Sequence, residues 1–245
     1  MSDIKTRSLL GAAVLLCPLA AFAQVGSLST ALDGGMAKGD RAVKLSFRSF
    51  NENEASVYGN LALAYGFSDD VQFVLRASAA ERTDVGTTRS GGSDVEFQAV
   101  WRKRNIYLAV GVAQPSTPAQ DKAAFTYTVG VNGQDGTNSV FFGVSSVTSK
   151  DVTLLAAAFA YRMGFAEGWS FDSSAMFMIR GDNTANVSGV LESEPVFNFG
   201  LRYRFDARQS FFLSAGNSLG DTTGFSLSHR IQKGFGVGAG LEVKF

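Results

Sequence analysis

At 245 residues the chain is long enough for one large β-domain and too short for two comfortable ones. Its 22 basic and 22 acidic residues balance, which argues against the basic footprint of a nucleic-acid-binding protein and the composition of an acidic disordered tail. With 27 glycines, 21 phenylalanines and 4 prolines, the composition suits strands that bend and pack closely; in helices so many glycines would be costly.

The first 23 residues read as a cleaved signal peptide. Lys5 and Arg7 make a positive start, Leu9 to Leu19 is apolar, and Ala21-Phe22-Ala23 is a small-x-small cleavage site before Gln24. The apolar run falls short of the ~20 residues that a helical membrane span requires. Cys17, the single cysteine, lies inside this segment, and Leu16 before it is not the small residue of a lipoprotein signal. The mature chain would therefore contain no cysteine, and so no disulfide or thiolate site. Residues 24–40 are expected to form an N-terminal tail or a short plug.

From residue 41 to the end, apolar side chains recur at every second position. Val43, Leu45 and Phe47 alternate with Lys44, Ser46 and Arg48; Val57, Leu61, Leu63, Tyr65 and Phe67 follow, then Val71, Phe73 and Leu75. Similar runs begin at Val95, Ile106, Phe125, Val140, Leu155, Trp169, Phe197, Phe211, Phe225 and Phe235. A period of two puts one set of side chains on each face of a strand, and no segment sustains a helical period, so the mature chain is expected to be all-β. Three features favour a membrane barrel over a soluble sandwich. Aromatic residues (Tyr65, Phe67, Trp101, Trp169, Tyr203, Phe205) sit at strand ends, as in interfacial girdles. Strands of about 9–11 residues match a tilted bilayer crossing. Tight turns at 68–70 and 206–208 alternate with longer polar loops at Thr83 to Ser93 and Gly181 to Glu194.

The count is thirteen segments, which conflicts with the even strand numbers of bacterial single-chain barrels. Either a weak segment, around 139–147 or 222–231, does not span, or Ser27 to Leu32 adds one more. We expect a single antiparallel transmembrane barrel of 12 strands over residues 41–245, with 14 as the alternative.

The final residues, Leu241-Glu242-Val243-Lys244-Phe245, alternate and end on phenylalanine. They resemble the C-terminal strand signature, here Leu241, Val243 and Phe245, that Gram-negative outer-membrane β-barrel proteins present to their assembly machinery. Residues 63–70 (LAYGFSDD) and 200–206 (GLRYRFD) resemble strand–turn junctions of small transporter-like barrels. The resemblance reaches no narrower family. It implies an outer-membrane location, with membrane lipids and the barrel assembly machinery as partners.

If the aromatic face meets lipid, the opposite face lines the interior. It carries Lys44, Arg48, Arg76, Arg102, Arg180, Arg202, Arg204, Arg230 and Lys244, against Glu96, Asp172 and Glu242. Charge facing lipid is costly, so a polar lining is the expected arrangement. It either forms a narrow path with a leaning towards anionic solutes or a network of ion pairs that fills the barrel. Several of the arginines lie beside turns, where solvent would suffice for them.

Catalysis is not expected. Barrel enzymes such as phospholipases, lipid A deacylases and omptin-like proteases need a base that is partly neutral near pH 7. The sole histidine, His229, shares parity with Phe225 and Leu227 and so belongs to the lipid-side face. Asp172 and Ser174 share an inner face but lack a base between them. Asn132 to Gly136 has turn chemistry without the spaced acids of a calcium loop. Gly236, Gly238 and Gly240 fit close packing better than phosphate binding, since no helix follows. Neither a cofactor nor a metal is called for, and nucleic acid is not an expected partner. The leading expectation is a passive channel or uptake protein for small solutes; the alternative is a structural or surface-interaction barrel with a filled lumen and functional external loops.

Overall fold

A strand with one apolar and one polar face needs two different surroundings, and a closed barrel in lipid supplies both. The computed structural model describes residues 31, 35–50, 56–84, 87–116, 123–150, 153–183, 193–218, 220–227 and 235–245. Twelve strands follow in order: β1 (Arg41–Phe50), β2 (Ser56–Gly66), β3 (Val71–Asp84), β4 (Thr87–Lys103), β5 (Ile106–Ser116) and β6 (Ala124–Asp135). Then come β7 (Asn138–Thr148), β8 (Thr153–Ala166), β9 (Trp169–Arg180), β10 (Val196–Arg204), β11 (Gln209–Gly216) and β12 (Gly236–Lys244). Each strand pairs antiparallel with the next, and β1 pairs with β12 to close the barrel. Arg41 and Phe245 complete that seam, the Phe245 N–H donating to the Arg41 carbonyl at 2.8 Å.

The alternation selects the faces. Phe47 is 63% exposed, whereas its neighbours Ser46 and Arg48 are 6% and 4% exposed. Leu45, Phe97, Phe142, Phe177, Ile179 and Leu241 share the outward side with Phe47. An apolar exterior around a polar interior is the pattern of a transmembrane barrel and the reverse of a water-soluble one.

Connections 67–70, 104–105, 136–137, 167–168 and 205–208 are short and lie at the end of the barrel where β1 begins and β12 finishes. Gly168 turns there with φ of 73°, a conformation that suits glycine. At the same end Trp169 packs on Tyr203 at 4.7 Å and Tyr203 on Phe205 at 5.0 Å, forming part of an aromatic girdle. The opposite end carries connections 51–55, 85–86, 117–123, 149–152, 181–195 and 217–235.

The twelve strands remove the parity conflict. Within the suspected segment 222–231, the described residues hold a short helix, α1 (Thr223–Leu227), inside the connection from β11 to β12, and 228–231 lie outside the described residues. The other suspect, 139–147, spans fully as part of β7. With β1 paired to both β2 and β12, a fourteen-stranded arrangement is set aside. Ser27 to Leu32 lies outside the described residues except for Ala31, and the signal peptide lies outside them entirely. The expected loop from Thr83 to Ser93 is instead a hairpin, because β3 and β4 are 14 and 17 residues long and pair as far as Asp84 and Thr87.

The glycines of β12 let a phenylalanine lie flat across the seam. A Cβ at Gly240 would collide with the Phe212 ring and the Leu45 carbonyl, and one at Gly238 with the Phe47 carbonyl and Ser214 Oγ. Gly240→Val is expected to destabilise the folded barrel by about 1–3 kcal/mol, the usual cost of overpacking. Urea unfolding from detergent micelles, read by heat-modifiable gel migration, measures this; an unchanged midpoint would contradict the packing described.

Candidate functional site

Inside the barrel, charges on neighbouring strands meet because inward positions fall opposite one another in the ladder. Arg76 on β3 pairs in register with Glu96 on β4, and their side chains form a buried ion pair at 3.2 Å. Gln98, two residues on, accepts from Arg76 at 2.5 Å and donates to Glu96 at 2.9 Å. At the tight-turn end a second network crosses β8 to β12. Arg162 grips Asp172 through two bonds of 2.7 and 2.8 Å. Arg202 lies 3.6 Å from Asp172 and 2.8 Å from Glu242. Lys244 stands 3.6 Å from the other oxygen of Glu242.

The feature that occupies the lumen is the connection between β11 and β12. Its chain turns inward from the long-loop end, and Ser218, Asp221, Thr222, Thr223 and Leu227 are buried. The anchors are polar. Lys44 on β1 forms an ion pair with Asp221 at 2.7 Å, and Arg48 donates to the Ser218 carbonyl. The Asp221 N–H donates to Asn60 Oδ1 at 3.2 Å, and the Thr223 N–H donates to Glu96 at 2.8 Å. Gln98 also donates to the Thr223 hydroxyl at 3.1 Å. Asn183, in the connection between β9 and β10, donates to the Leu227 carbonyl at 2.8 Å and so ties that loop to α1. The other side of the lumen is apolar: Tyr107, Phe141, Ala156, Ala158 and Met176 belong to one buried cluster that also takes in Leu227 and Ala31. Gly35 and Met36 line a small cleft with Lys44, Arg76 and Lys244.

Of the lining residues read from sequence, Lys44, Arg48, Arg76, Arg202, Glu96, Asp172 and Glu242 are buried and facing inward. Arg102 is half-buried, with its guanidinium 5.1 Å above the Tyr107 ring. Arg180 and Arg204 are exposed at opposite ends, and Lys244 is partly exposed at the tight-turn mouth. Arg230 and His229 lie outside the described residues. Residues 241, 243 and 245 are outer-face positions of the closing strand or its end, paired through Leu241 with Leu45 and Val243 with Val43.

Several participants were not singled out from sequence. Asp94 and Gln98 share the parity of Glu96 and were legible from it, as was Arg162 from its place one residue after outward-facing Tyr161. Asp221 gave no such signal, because a loop has no period. With Asp94 and Asp221 added, the lumen is closer to charge balance than the nine bases and three acids of the alternation suggested. Among the described residues, no group of three or more His, Cys, Asp or Glu side chains is arranged to hold a metal ion.

No protein-family model matches the sequence, and no curated protein sequence matches it. Solved structures do match its fold. The COG4313 outer membrane channel from Pseudomonas putida F1 superposes with a TM-score of 0.56 at 12% identity, over 86% of this chain and 97% of that one. The KdgM porin superposes with a TM-score of 0.52 at 11% identity, over 82% of this chain and 99% of that one. The chain thus has the fold of Gram-negative outer-membrane β-barrels, as the C-terminal resemblance implied.

The Asp221 carboxyl is held below its ordinary value. Burial alone would raise it, and the nearby charges of Lys44, Arg48 and Arg76 together outweigh that. A depressed carboxylate stabilises fully above its unfolded value and loses that contribution as pH falls through the folded one. Backbone amides of 218 and 220–223 are therefore expected to exchange slowly, after correction for intrinsic rates, from about pH 8 down to about pH 5, and to lose protection progressively as pH falls below the ordinary carboxylate value of about 4. At neutral pH, Asp221→Asn should speed their exchange at least about tenfold, since it removes the buried ion pair with Lys44. Mass-spectrometric hydrogen exchange reads both effects, and equal protection in variant and parent would rule out the ion pair as the anchor.

Proposed function

We propose that this protein is an outer-membrane channel for small solutes, obstructed in the described conformation by the β11–β12 connection. The observation that carries the reading is the chemistry of the obstruction: on its β1–β4 side it is held by ion pairs and hydrogen bonds to the lumen wall. Such contacts can be exchanged for water at modest cost, whereas an apolar core cannot. A polar wall running from Lys244 and Glu242 through Lys44 to Arg48 gives a hydrated path along β1 and β12 once the loop moves. The fold shared with an outer membrane channel and a porin supports both the location and this class of function. By the rule for such barrels, the tight-turn end with both ends of the barrel chain faces the periplasm. Ahead of β1, Ala31 is buried in the lumen cluster and so adds to the obstruction.

An anion leaning is part of the proposal, and it rests on the tight-turn end, where Arg162, Arg202, Arg204 and Lys244 gather. Elsewhere Glu96 pairs with Arg76 and Asp221 with Lys44. We assign no catalytic role.

A second reading, a filled barrel serving as a structural or surface-interaction protein, draws on the apolar half of the lumen. Tyr107 and Phe141 stack edge to face at 5.4 Å there, as in a permanent core. Conductance separates the two. In planar bilayers under a salt gradient, the refolded protein is expected to give small steps with an anion-leaning reversal potential, and Asp221→Asn to raise the open fraction. Arg202→Ala should shift the reversal towards cations, because Asp172 and Glu242 lose their shared partner. Correctly folded protein in which neither the parent nor Asp221→Asn conducts would instead establish the filled barrel.

A further inference from the structure

The tight-turn mouth contains a cavity of about 290 Å³ between the ends of β6–β10 and β12. Its origin lies in side-chain size. The floor and rim are built from short residues, Gly136, Ser139, Ala166, Gly168 and Ser170, so the long basic side chains of β8, β10 and β12 reach into open space. Four cations line it, Arg162, Arg202, Arg204 and Lys244, and no carboxylate does. The two acids of this network, Asp172 and Glu242, stand behind the bases: Asp172 binds Arg162 and Arg202, and Glu242 binds Arg202 and Lys244. They orient the guanidinium groups without neutralising all of the charge. Four positive groups thus line the cavity, with the two carboxylates outside its lining.

Two further observations point to a ligand. Among the described residues nothing pairs with the exposed Arg204 guanidinium. Ser139 is 95% buried (5% exposed), lines the cavity, and its hydroxyl has no hydrogen-bond partner among the described residues. A buried hydroxyl is ordinarily satisfied, so one left open beside a cationic cavity is an available donor and acceptor for a bound polar molecule.

We infer that this cavity is a binding site for a small organic dianion, whose charged oxygens are taken by Arg204 and by the Asp172- and Glu242-held bases and whose remaining polar atoms reach Ser139 and Ser170. Guanidinium forks match both carboxylate and phosphate oxygens. The volume lies at the lower limit of small-molecule pockets, which fits a metabolite-sized anion and not a polymer. The site deepens the channel reading, on which its transport meaning rests: a solute held at the periplasmic mouth is concentrated where it leaves or enters the lumen. Binding itself requires no conduction.

The test is therefore equilibrium binding to the full-length mature barrel in detergent, by isothermal titration calorimetry, with four probes: succinate, inorganic phosphate, acetate and neutral succinamide. Succinate or phosphate is expected to bind at least about tenfold more tightly than acetate, with succinamide not binding; the tighter of the two dianions identifies the carboxylate or the phosphate class. Arg204→Ala, which removes an exposed group outside the wall network, should weaken the dianion at least about tenfold while heat-modifiable migration is unchanged. Ser139→Ala should weaken it by a smaller factor, about threefold to tenfold for one neutral hydrogen bond. Dianions binding no better than acetate, or undiminished binding to a folded Arg204→Ala barrel, would overturn the site. A barrel that binds but does not conduct would keep the site and remove the channel; one that conducts but does not bind would do the reverse.

Discussion

Backbone hydrogen bonds that must be completed without water govern this molecule. In hydrocarbon an unpaired edge is too costly, so a sheet in lipid has to close on itself. Here the obligation falls on the β1–β12 seam, where Ala42 to Phe50 pairs with Gly236 to Lys244. Closure then dictates two faces, one for lipid and one for the lumen, and the strict period of two along each strand follows. The small residues of β12 belong to the same constraint, since a Cβ at Gly238 or Gly240 would strike the neighbouring strands' backbone.

Once a polar face is turned inward, its charges must be matched across strands or by something brought into the lumen. Both solutions are used. Arg76 with Glu96, and Arg162 and Arg202 with Asp172, are settled within the wall. Lys44 and Arg48 are met from the β11–β12 connection, by Asp221 and the Ser218 carbonyl. On this side the loop is fastened to the wall by charge and hydrogen bonds. The apolar half of the lumen, around Tyr107, Phe141 and Met176, seats the Leu227 end of the same loop. An obstruction held by charge at one end and by an apolar contact at the other has two separable fastenings.

The tight-turn mouth is the place where this matching is left incomplete. Asp172 and Glu242 each serve two bases, and Arg204 has none of them. The barrel therefore gathers basic side chains at the tight-turn end by its architecture.

The alternation determined the all-β class, the outward set from Leu45 and Phe47 to Leu241, and the inward placement of Lys44, Arg76, Glu96, Asp172 and Arg202. Each of these depends only on a residue's own parity, which pleating imposes locally. The strand number was within reach but ambiguous: Phe225 and Leu227 imitate a strand, and only the absence of a pairing partner in the closed ladder makes Thr223–Leu227 a helix. What the tertiary structure alone decided is which inward charges meet. Lys44 and Asp221 are far apart in sequence and belong to a strand and a loop, so no period relates them. Likewise the mouth cavity arises where short side chains from three strands and two turns end at one height. Parity is a property of neighbouring residues, whereas contacts across a lumen depend on register and loop path, and these exist only once the barrel has closed.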